Sequence, residues 1–395
     1  VFLGSSFAFL GSMAAAFAGA TTVCLGFLGL IIGAIFAGLV YVVIAIFVKI
    51  FGVKWIEKLM PAVVIGPTVA IIGLSLSTNA IGDLVKSKNS EASTYLCIIC
   101  GLITLFSTII SSTYGKKMVK LIPFIIGIAS GYVLALIFTI IGKTANVNEL
   151  VIIDFKPFTN LLTDGKVTVE TFLKLPDFTF IEAFKGFKDL NFNYIITIFV
   201  AYAPVAFVVF AEHIADHKNI SSIIEKDLLV EPGLDKTLLG DGVGSMVGAL
   251  FGGCPNTTYG ESIGCVAITK NASVLTIIAA SVLAILISFV SPIIALIDSI
   301  PNCVMGGVCI ALYGFIAVSG LKMIQNVDLG EDKNLFVVSS ILVIGIGGLT
   351  ISFGKVMITE IACALIIGIF VNLVLKNKKK EENTENAEEE TNVNE

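Results

Sequence analysis

The stretch GGCPNTTYGESIGCVAITK, residues 252–270, interrupts a hydrophobic segment and thereby decides how the chain can fold. Pro255 cannot continue a helix, and the Asn, Thr and Tyr residues that follow it up to Tyr259 favour extended backbone. A helix can restart after Gly260, and Glu261 then lies in its first turn, where the helix dipole stabilises a carboxylate by about 0.3–1 kcal/mol. Irregular backbone at membrane depth is tolerated only where it lines a cavity, so the stretch predicts a binding site. The alternative is a loop outside the membrane with an ordinary glutamate at a helix start.

The composition is that of an integral membrane protein. Hydrophobic residues make up 56% of the 395 residues and charged residues 14%, whereas soluble domains carry about 25% charged residues. Many apolar stretches reach the roughly 20 residues that a helix needs to cross the hydrocarbon core, and they lack the alternation of porin strands. The predicted fold class is therefore an all-α polytopic membrane protein.

Apolar stretches recur along the whole chain, and most of the connections between them are short. They are predicted at residues 3–20, 22–48, 60–78, 94–113, 118–141, 195–215, 237–252, 262–269, 273–297, 302–321, 335–353 and 357–375. This pattern predicts about twelve spans. The stretch 237–252 has a weak signal because it is rich in glycine.

The lysines predict the orientation of the chain. There is no arginine, and the lysines of the short connections fall mostly in every second connection, on the same side as the tail sequence KNKKK at 376–380. Basic residues in short connections favour the cytoplasm, so the C-terminus is predicted to be cytoplasmic and the location to be the cell membrane.

Three regions follow from this pattern. Residues 1–376 form one transmembrane domain, 143–193 form a long extracellular connection, and 377–395 form an acidic cytoplasmic tail whose composition predicts disorder. The chain begins without methionine, which leads us to expect a preceding segment.

A second informative stretch is AYAPVAFVVFAEHIADHKN, residues 201–219, in which a strongly apolar helix reaches several ionisable residues. Glu212 and Asp216 are four residues apart and share a helix face, as do His213 and His217. An ionisable residue inside the membrane costs about 2.5–3.5 kcal/mol and therefore requires a partner, a cavity or a ligand. We interpret Glu212 as functional, while a helix end that emerges into the cytoplasm also accounts for His217.

The start of the chain repeats the pattern of the interrupted segment. An extended stretch of small residues at 4–6 leads into a short helix, as 256–259 does. Paired interrupted spans in the two halves of a transporter are typical of inverted repeats around a central site.

Three motifs together resemble a known family. They are AEHIADH at 211–217, DLLVEPGLDKTLLGDG at 227–242 and PNTTYGESIGCVAITK at 255–270. The chain resembles the nucleobase:cation symporters of the nucleobase/ascorbate transporter family over nearly its whole length, most closely the uracil permeases among them. The sequence departs from the family signature at Ser262, where the family usually has Asn. A histidine that some members place four residues after the first carboxylate is replaced by Asp216, with His217 beside it.

The resemblance implies fourteen spans in two inverted halves, divided into a core and a gate domain, with two discontinuous spans that contain short β-strands. On this reading the first two helices are missing. It further implies a homodimer, protons as the coupled ion and no cofactor or metal. The implied binding residues are Glu212, Glu261, Phe7, Tyr259 and Gly260.

The chemistry of uracil agrees with these residues. Its flat neutral ring has two N–H donors and two carbonyl acceptors, so carboxylates at Glu212 and Glu261 can accept, while backbone N–H groups at Phe7 and Gly260 can donate. Phe7 and Tyr259 can pack on the ring faces. Since two neighbouring carboxylates favour uptake of a proton, Glu212 is our candidate proton carrier, beside Asp216 and His217.

Other classes remain open at the level of sequence. A xanthine or purine permease is the nearest, although such members carry Gln in place of Glu261. An anion transporter requires a positive site, and no intramembrane lysine is evident. A membrane enzyme or a channel lacks support because neither a nucleophile motif, nor metal-ligand spacing, nor a charged pore ring is present. The partners expected are a nucleobase, protons and the lipid bilayer, and no nucleic acid.

Overall fold

A computed structural model provides the structure of the chain. It describes residues 2–52, 55, 59–162, 165–175, 178–353 and 356–375. The tail predicted at 377–395 lies outside the described residues.

Helices dominate this part of the chain. They are α1 (Leu10–Gly19), α2 (Val23–Phe51), α3 (Ala62–Ser75), α4 (Ser77–Leu84), α5 (Thr94–Tyr114), α6 (Met118–Leu121), α7 (Pro123–Ala145), α8 (Lys156–Thr159), α9 (Thr179–Lys185), α10 (Phe192–Ile224), α11 (Leu234–Leu250), α12 (Gly260–Thr269), α13 (Val274–Ile287), α14 (Ser291–Ser299), α15 (Asn302–Met323), α16 (Asp332–Ile346) and α17 (Glu360–Val374). Four short strands accompany them: β1 (Leu3–Ser5), β2 (Asn256–Thr258), β3 (Ile351–Phe353) and β4 (Val356–Ile358).

Several of these helices can cross a membrane by length and composition. Among the described residues six helical stretches meet both conditions: Val23–Phe51, Ala62–Leu84, Thr94–Tyr114, Pro123–Ala145, Phe192–Ile224 and Asn302–Met323. A helix rises about 1.5 Å per residue, so each is long enough for a hydrocarbon core of about 30 Å. The chain is thus a multi-pass helical membrane protein, and the figure of about twelve spans stays a prediction.

Both interrupted segments have the predicted local structure. Strand β1 is followed by a single 3₁₀ turn at Phe7–Phe9 and then by α1, and β2 is followed directly by α12. The two strands pair in antiparallel register, with Leu3 opposite Thr258 and Ser5 opposite Asn256. Each interrupted segment therefore supplies the other's backbone partners, which is the condition for extended chain at membrane depth.

The helices pack in two groups, which we call the strand group and the outer group. The strand group contains α1, α2, α9, α10, α11 and α12 with β1 and β2, and the outer group contains α3, α4, α5, α7, α15, α16 and α17. Helix α10 joins the groups, since it also packs against α3, α17 and β4.

Glycine allows the closest helix approach in the strand group. A Cβ atom added at Gly38 of α2 would lie 2.6 Å from the carbonyl oxygen of Gly242 on α11. A Cβ added at Gly242 would lie 2.8 Å from the carbonyl oxygen of Gly38. Small residues at such crossings let helix backbones pack directly in membranes. The glycine-rich segment of α11 is therefore helical and packs closely against α2.

Several of the predicted runs differ from the structure. The run at 273–297 is two helices, α13 and α14. Helix α10 continues to Ile224, well beyond the predicted end of its apolar run at 215. The runs at 335–353 and 357–375 were each predicted as a single span, but between α16 and α17 the chain forms the antiparallel pair β3–β4.

Candidate functional site

Helix α10 presents two carboxylates where the strand group meets the outer group. Glu212 and Asp216 lie one turn apart in the uninterrupted part of this helix, so their side chains share a face. Both side chains border a cavity of about 660 Å³. A helix at this position gives the carboxylates a fixed spacing and a fixed depth.

Strand β2 holds both carboxylates by consecutive threonines. The Thr257 hydroxyl donates to Glu212 Oε2 at 2.8 Å, and the Thr258 hydroxyl donates to Asp216 Oδ2 at 2.6 Å. Both threonines are buried. Charged acceptors make hydrogen bonds that are shorter and stronger than neutral ones, so β2 fixes the orientation of the carboxylates.

The residues that follow β2 lie at the same cavity. Tyr259 donates its hydroxyl to the carbonyl oxygen of Ser5 at 2.9 Å, which ties it to β1, and Gly260 begins α12. The first N–H groups of a helix have no intrahelical acceptor, so the start of α12 presents donors at the cavity. Phe7 lies across from them, 36% exposed, with its ring edge-on to Tyr313 of α15 at 5.4 Å between centroids.

Ser262, where the sequence departs from the family signature, has a structural partner on each side. Its hydroxyl donates to the Tyr259 carbonyl oxygen at 2.7 Å and accepts from the Phe2 N–H at 3.4 Å. The Tyr259 N–H in turn donates to the Phe2 carbonyl oxygen at 3.0 Å. Ser262 therefore joins the start of α12 to the entry of β1.

The cavity is lined by both groups of helices. The strand group contributes Ser5, Ser6, Phe7, Ala8, Glu212, Ala215, Asp216, Asn219, Thr257, Thr258, Tyr259, Gly260, Ile263 and Cys265, and the outer group contributes Val69, Ile72, Ser112, Pro123, Phe124, Leu312, Phe315, Ile316, Ser319 and Met323, with Lys120 and Leu121 from α6. The outer group's wall is mainly apolar, whereas the strand group's wall carries hydroxyls, carboxylates and a helix start. Such a cavity suits a flat molecule with a polar edge.

The structure brings most of the predicted site residues together. Phe7, Glu212, Asp216, Tyr259 and Gly260 all line the cavity. Glu261 is the second residue of α12, and its side chain lies outside the described part of the structure.

His217 lies away from this group, on a different face of α10. It is buried, its Nδ1 lies 2.8 Å from the carbonyl oxygen of His213, and the two imidazoles stack at 4.0 Å between centroids. His213 Nδ1 lies 3.1 Å from Asp241 Oδ2 on α11, and its Nε2 lies 3.1 Å from the Thr237 hydroxyl oxygen. A buried polar cluster thus lies behind the carboxylate face.

The sequence prediction missed the roles of Thr257, Thr258 and Tyr313. The two threonines were read only as extended backbone. Adjacent residues of a strand point to opposite faces, so nothing in the sequence indicated that both would reach carboxylates of one helix. Tyr313 belongs to a helix with no other signal of function. Across the described residues, no group of three or more His, Cys, Asp or Glu side chains is arranged to hold a metal ion.

The fold and the site define a polytopic helical membrane protein with a polar cleft between two helix groups, built on two paired, interrupted segments. Residues 1–353 match the profile of the Permease family, Xan_ur_permease. Uracil permease from Bacillus caldolyticus is 38% identical over 381 residues, which cover 95% of this chain and 81% of that protein. Uracil permease from Bacillus subtilis is 35% identical over 393 residues, with 96% and 82% covered.

A solved structure has a similar fold at low identity. The transmembrane domain of the cyanobacterial bicarbonate transporter BicA superposes with a TM-score of 0.56 and 13% identity, covering 94% of this chain and 83% of that one. The chain belongs to the Permease family. Members of this family are transporters, so the chain is a transporter rather than an enzyme.

Proposed function

We propose that this protein takes up uracil across the cytoplasmic membrane, together with protons, by alternating access. The observation that carries the proposal is the cavity in which Glu212, Tyr259, Gly260 and Phe7 meet at the β1–β2 pair. The family, and relatives named uracil permease at 35% identity and above, support the same substrate.

In the proposed complex the base is held by its edge and by its faces. Glu212 and Glu261 accept from the two ring N–H groups, and the backbone N–H groups of Phe7 and Gly260 donate to the carbonyl oxygens. The rings of Phe7 and Tyr259 pack against the base. The hydrogen bond from Thr257 orients Glu212 before the base arrives, which reduces the entropy lost on binding.

Proton coupling requires a group that changes its protonation during transport. We assign this exchange to Glu212, because it faces the cavity in the middle of a transmembrane helix, with Asp216 and His217 as neighbouring groups. Two carboxylates one turn apart repel each other when both are ionised, which favours uptake of a proton when the cavity is empty of substrate.

Alternating access is proposed as a movement between the two helix groups. The strand group corresponds to a core domain that carries the base, and the outer group to a gate domain. Residues 1–376 make up this transporter domain, 143–193 lie outside the cell, and the C-terminus with 377–395 lies in the cytoplasm. A homodimer through the outer group completes the assembly.

The test is uptake of radiolabelled uracil by cells that express the protein, at acid and neutral external pH, with and without excess xanthine. We expect saturable uptake that is faster at acid pH and unaffected by xanthine. The Glu212→Gln variant is expected to lose accumulation, and unchanged accumulation with the parent's pH dependence would refute its role. Inhibition by xanthine would transfer the assignment to a purine permease, and uptake that does not saturate would indicate a channel.

A further inference from the structure

The buried cluster behind Glu212 has a hydrogen-bonding pattern that determines its charge. The side chains of His213 and Asp241 are each 1% exposed, and Asp241 Oδ2 lies 3.1 Å from His213 Nδ1. The Thr237 hydroxyl donates its hydrogen to the Leu234 carbonyl oxygen at 3.1 Å. Because a hydroxyl has one hydrogen, the 3.1 Å contact between His213 Nε2 and the Thr237 oxygen needs a proton on Nε2 whenever Thr237 donates to Leu234.

A second proton must then lie between His213 and Asp241. If it is on Nδ1, an imidazolium faces a carboxylate, and if it is on Oδ2, a neutral imidazole faces a carboxylic acid. The pair is electrically neutral in both cases. Removing this proton leaves a net negative charge on groups without access to water. If the remaining imidazole proton stays on Nε2, the Nδ1 lone pair faces the carboxylate. If it moves to Nδ1, the Thr237 hydroxyl must turn from the Leu234 carbonyl oxygen to Nε2.

Glu212 binds the base more strongly as a carboxylate than as an acid. In the proposed complex it accepts hydrogen bonds from Thr257 and from uracil, and an ionised acceptor makes stronger hydrogen bonds than a neutral one. His213 is the next residue in α10, on the face that points away from the cavity and towards α11.

We propose that the His213–Asp241 pair holds the symported proton while Glu212 is ionised and binds the base. This inference rests on the proposed function and adds the location of the proton to it. The transfer moves one proton: Glu212 changes from acid to carboxylate, and the pair changes from a net charge of −1 to neutral.

The Tyr41 hydroxyl on α2 is fully buried and, like Asp241 Oδ1, has no hydrogen-bond partner among the described residues.

The groups that face the pair limit it to one proton. They are Tyr41 from α2 and His217 from α10, whereas Glu212 of α10 faces the cavity and β2 contributes no titratable side chain. His217 stacks on His213 at 4.0 Å, so a second positive charge in the stack is opposed by the first.

The experiment uses the purified protein in proteoliposomes and measures three quantities: uracil binding, uracil counterflow without a pH gradient, and accumulation driven by an acid-outside gradient. Asp241→Asn keeps the size of the side chain and removes the proton site. We expect at least a tenfold loss of accumulation, with the Kd for uracil and the counterflow rate within threefold of the parent. In weak buffer, uracil binding to Asp241→Asn is expected to take up about one proton fewer than uracil binding to the parent.

Control variants separate coupling from damage to the fold. Asp235→Asn makes the same chemical change in the first turn of α11, away from the buried pair, and is expected to behave as the parent. His213→Gln retains a hydrogen-bond donor and is expected to lose accumulation like Asp241→Asn. His213→Gln alone decides the matter if Asp241→Asn does not fold.

The inference is overturned if Asp241→Asn accumulates uracil at the parent's level. It is also overturned if the variant loses uracil binding as strongly as it loses accumulation, since the pair would then act on the binding site itself. These results leave the proposed function intact as long as the parent transports uracil. A parent that shows no saturable uracil uptake or binding defeats the proposed function and the inference together.

Discussion

The hydroxyl of Thr257 is the smallest feature on which the site depends. It donates to Glu212 Oε2 at 2.8 Å from a buried position, so it decides where the second oxygen of the carboxylate points. A hydrogen bond to a charged group contributes about 1.5–3 kcal/mol, and a buried acceptor that loses its donor bears the full desolvation cost.

Thr257→Val removes this donor at nearly constant volume. We expect the Kd for uracil to rise roughly tenfold, because a carboxylate that is no longer oriented loses about 1.4 kcal/mol of binding free energy. The measurement is equilibrium binding of labelled uracil to the purified protein. Thr257→Ser keeps the hydroxyl and should bind within threefold of the parent. Thr258→Val acts on Asp216 instead and should change affinity less, so an equal effect of both substitutions would contradict the specific role of Thr257.

At the scale of elements, the pairing of β1 with β2 determines where Tyr259 lies. Its hydroxyl reaches the Ser5 carbonyl oxygen, and its ring lies over Gly4, where an added Cβ atom would be 2.6 Å from Cζ and 2.8 Å from the hydroxyl oxygen. The absence of a side chain at position 4 is therefore needed for the ring to lie flat against the strand.

Gly4→Ala is expected to displace the Tyr259 ring from β1. Since the ring borders the proposed base site, we expect at least a tenfold rise in the Kd for uracil, with the protein still folded and inserted. The matched control is Gly240→Ala on α11, where nothing lies within 4 Å of the added Cβ, and it should leave binding unchanged. Parent-like affinity in Gly4→Ala would show that the position of Tyr259 does not matter for the base.

Sequence patterns predicted the interrupted elements because their signals are local. Pro255 and the polar residues after it indicated β2, and α12 begins at Gly260 as expected. The pair β3–β4 was missed because Ile351–Phe353 and Val356–Ile358 are apolar except for Ser352 and continue the hydrophobic runs on either side. The contact of His213 with Asp241 was also missed, since it joins residues 28 apart in sequence and depends on how α10 crosses α11.

At the scale of the whole molecule, the cleft runs between the strand group and the outer group. Phe7 and Tyr313 touch across it, with the proposed base site beside them. The lining also includes the exposed side chains of Lys120 and Asn219, close in sequence to lysines that the positive-inside rule assigns to the cytoplasm. On this orientation the cavity extends towards the cytoplasmic side.

Cys265 offers a direct test of this orientation, because it is an exposed thiol of α12 that lines the cavity four residues after Glu261. We expect a membrane-impermeant maleimide to label it faster in inside-out vesicles than in right-side-out vesicles, and saturating uracil to slow the labelling at least threefold because the base blocks the path. The measurement is the rate of mass shift in a variant whose other cysteines are replaced by serine, with Cys265→Ser added as the unlabelled control. Faster labelling from the outside would reverse the proposed orientation of the cavity, whereas equal labelling with and without uracil would place the base elsewhere.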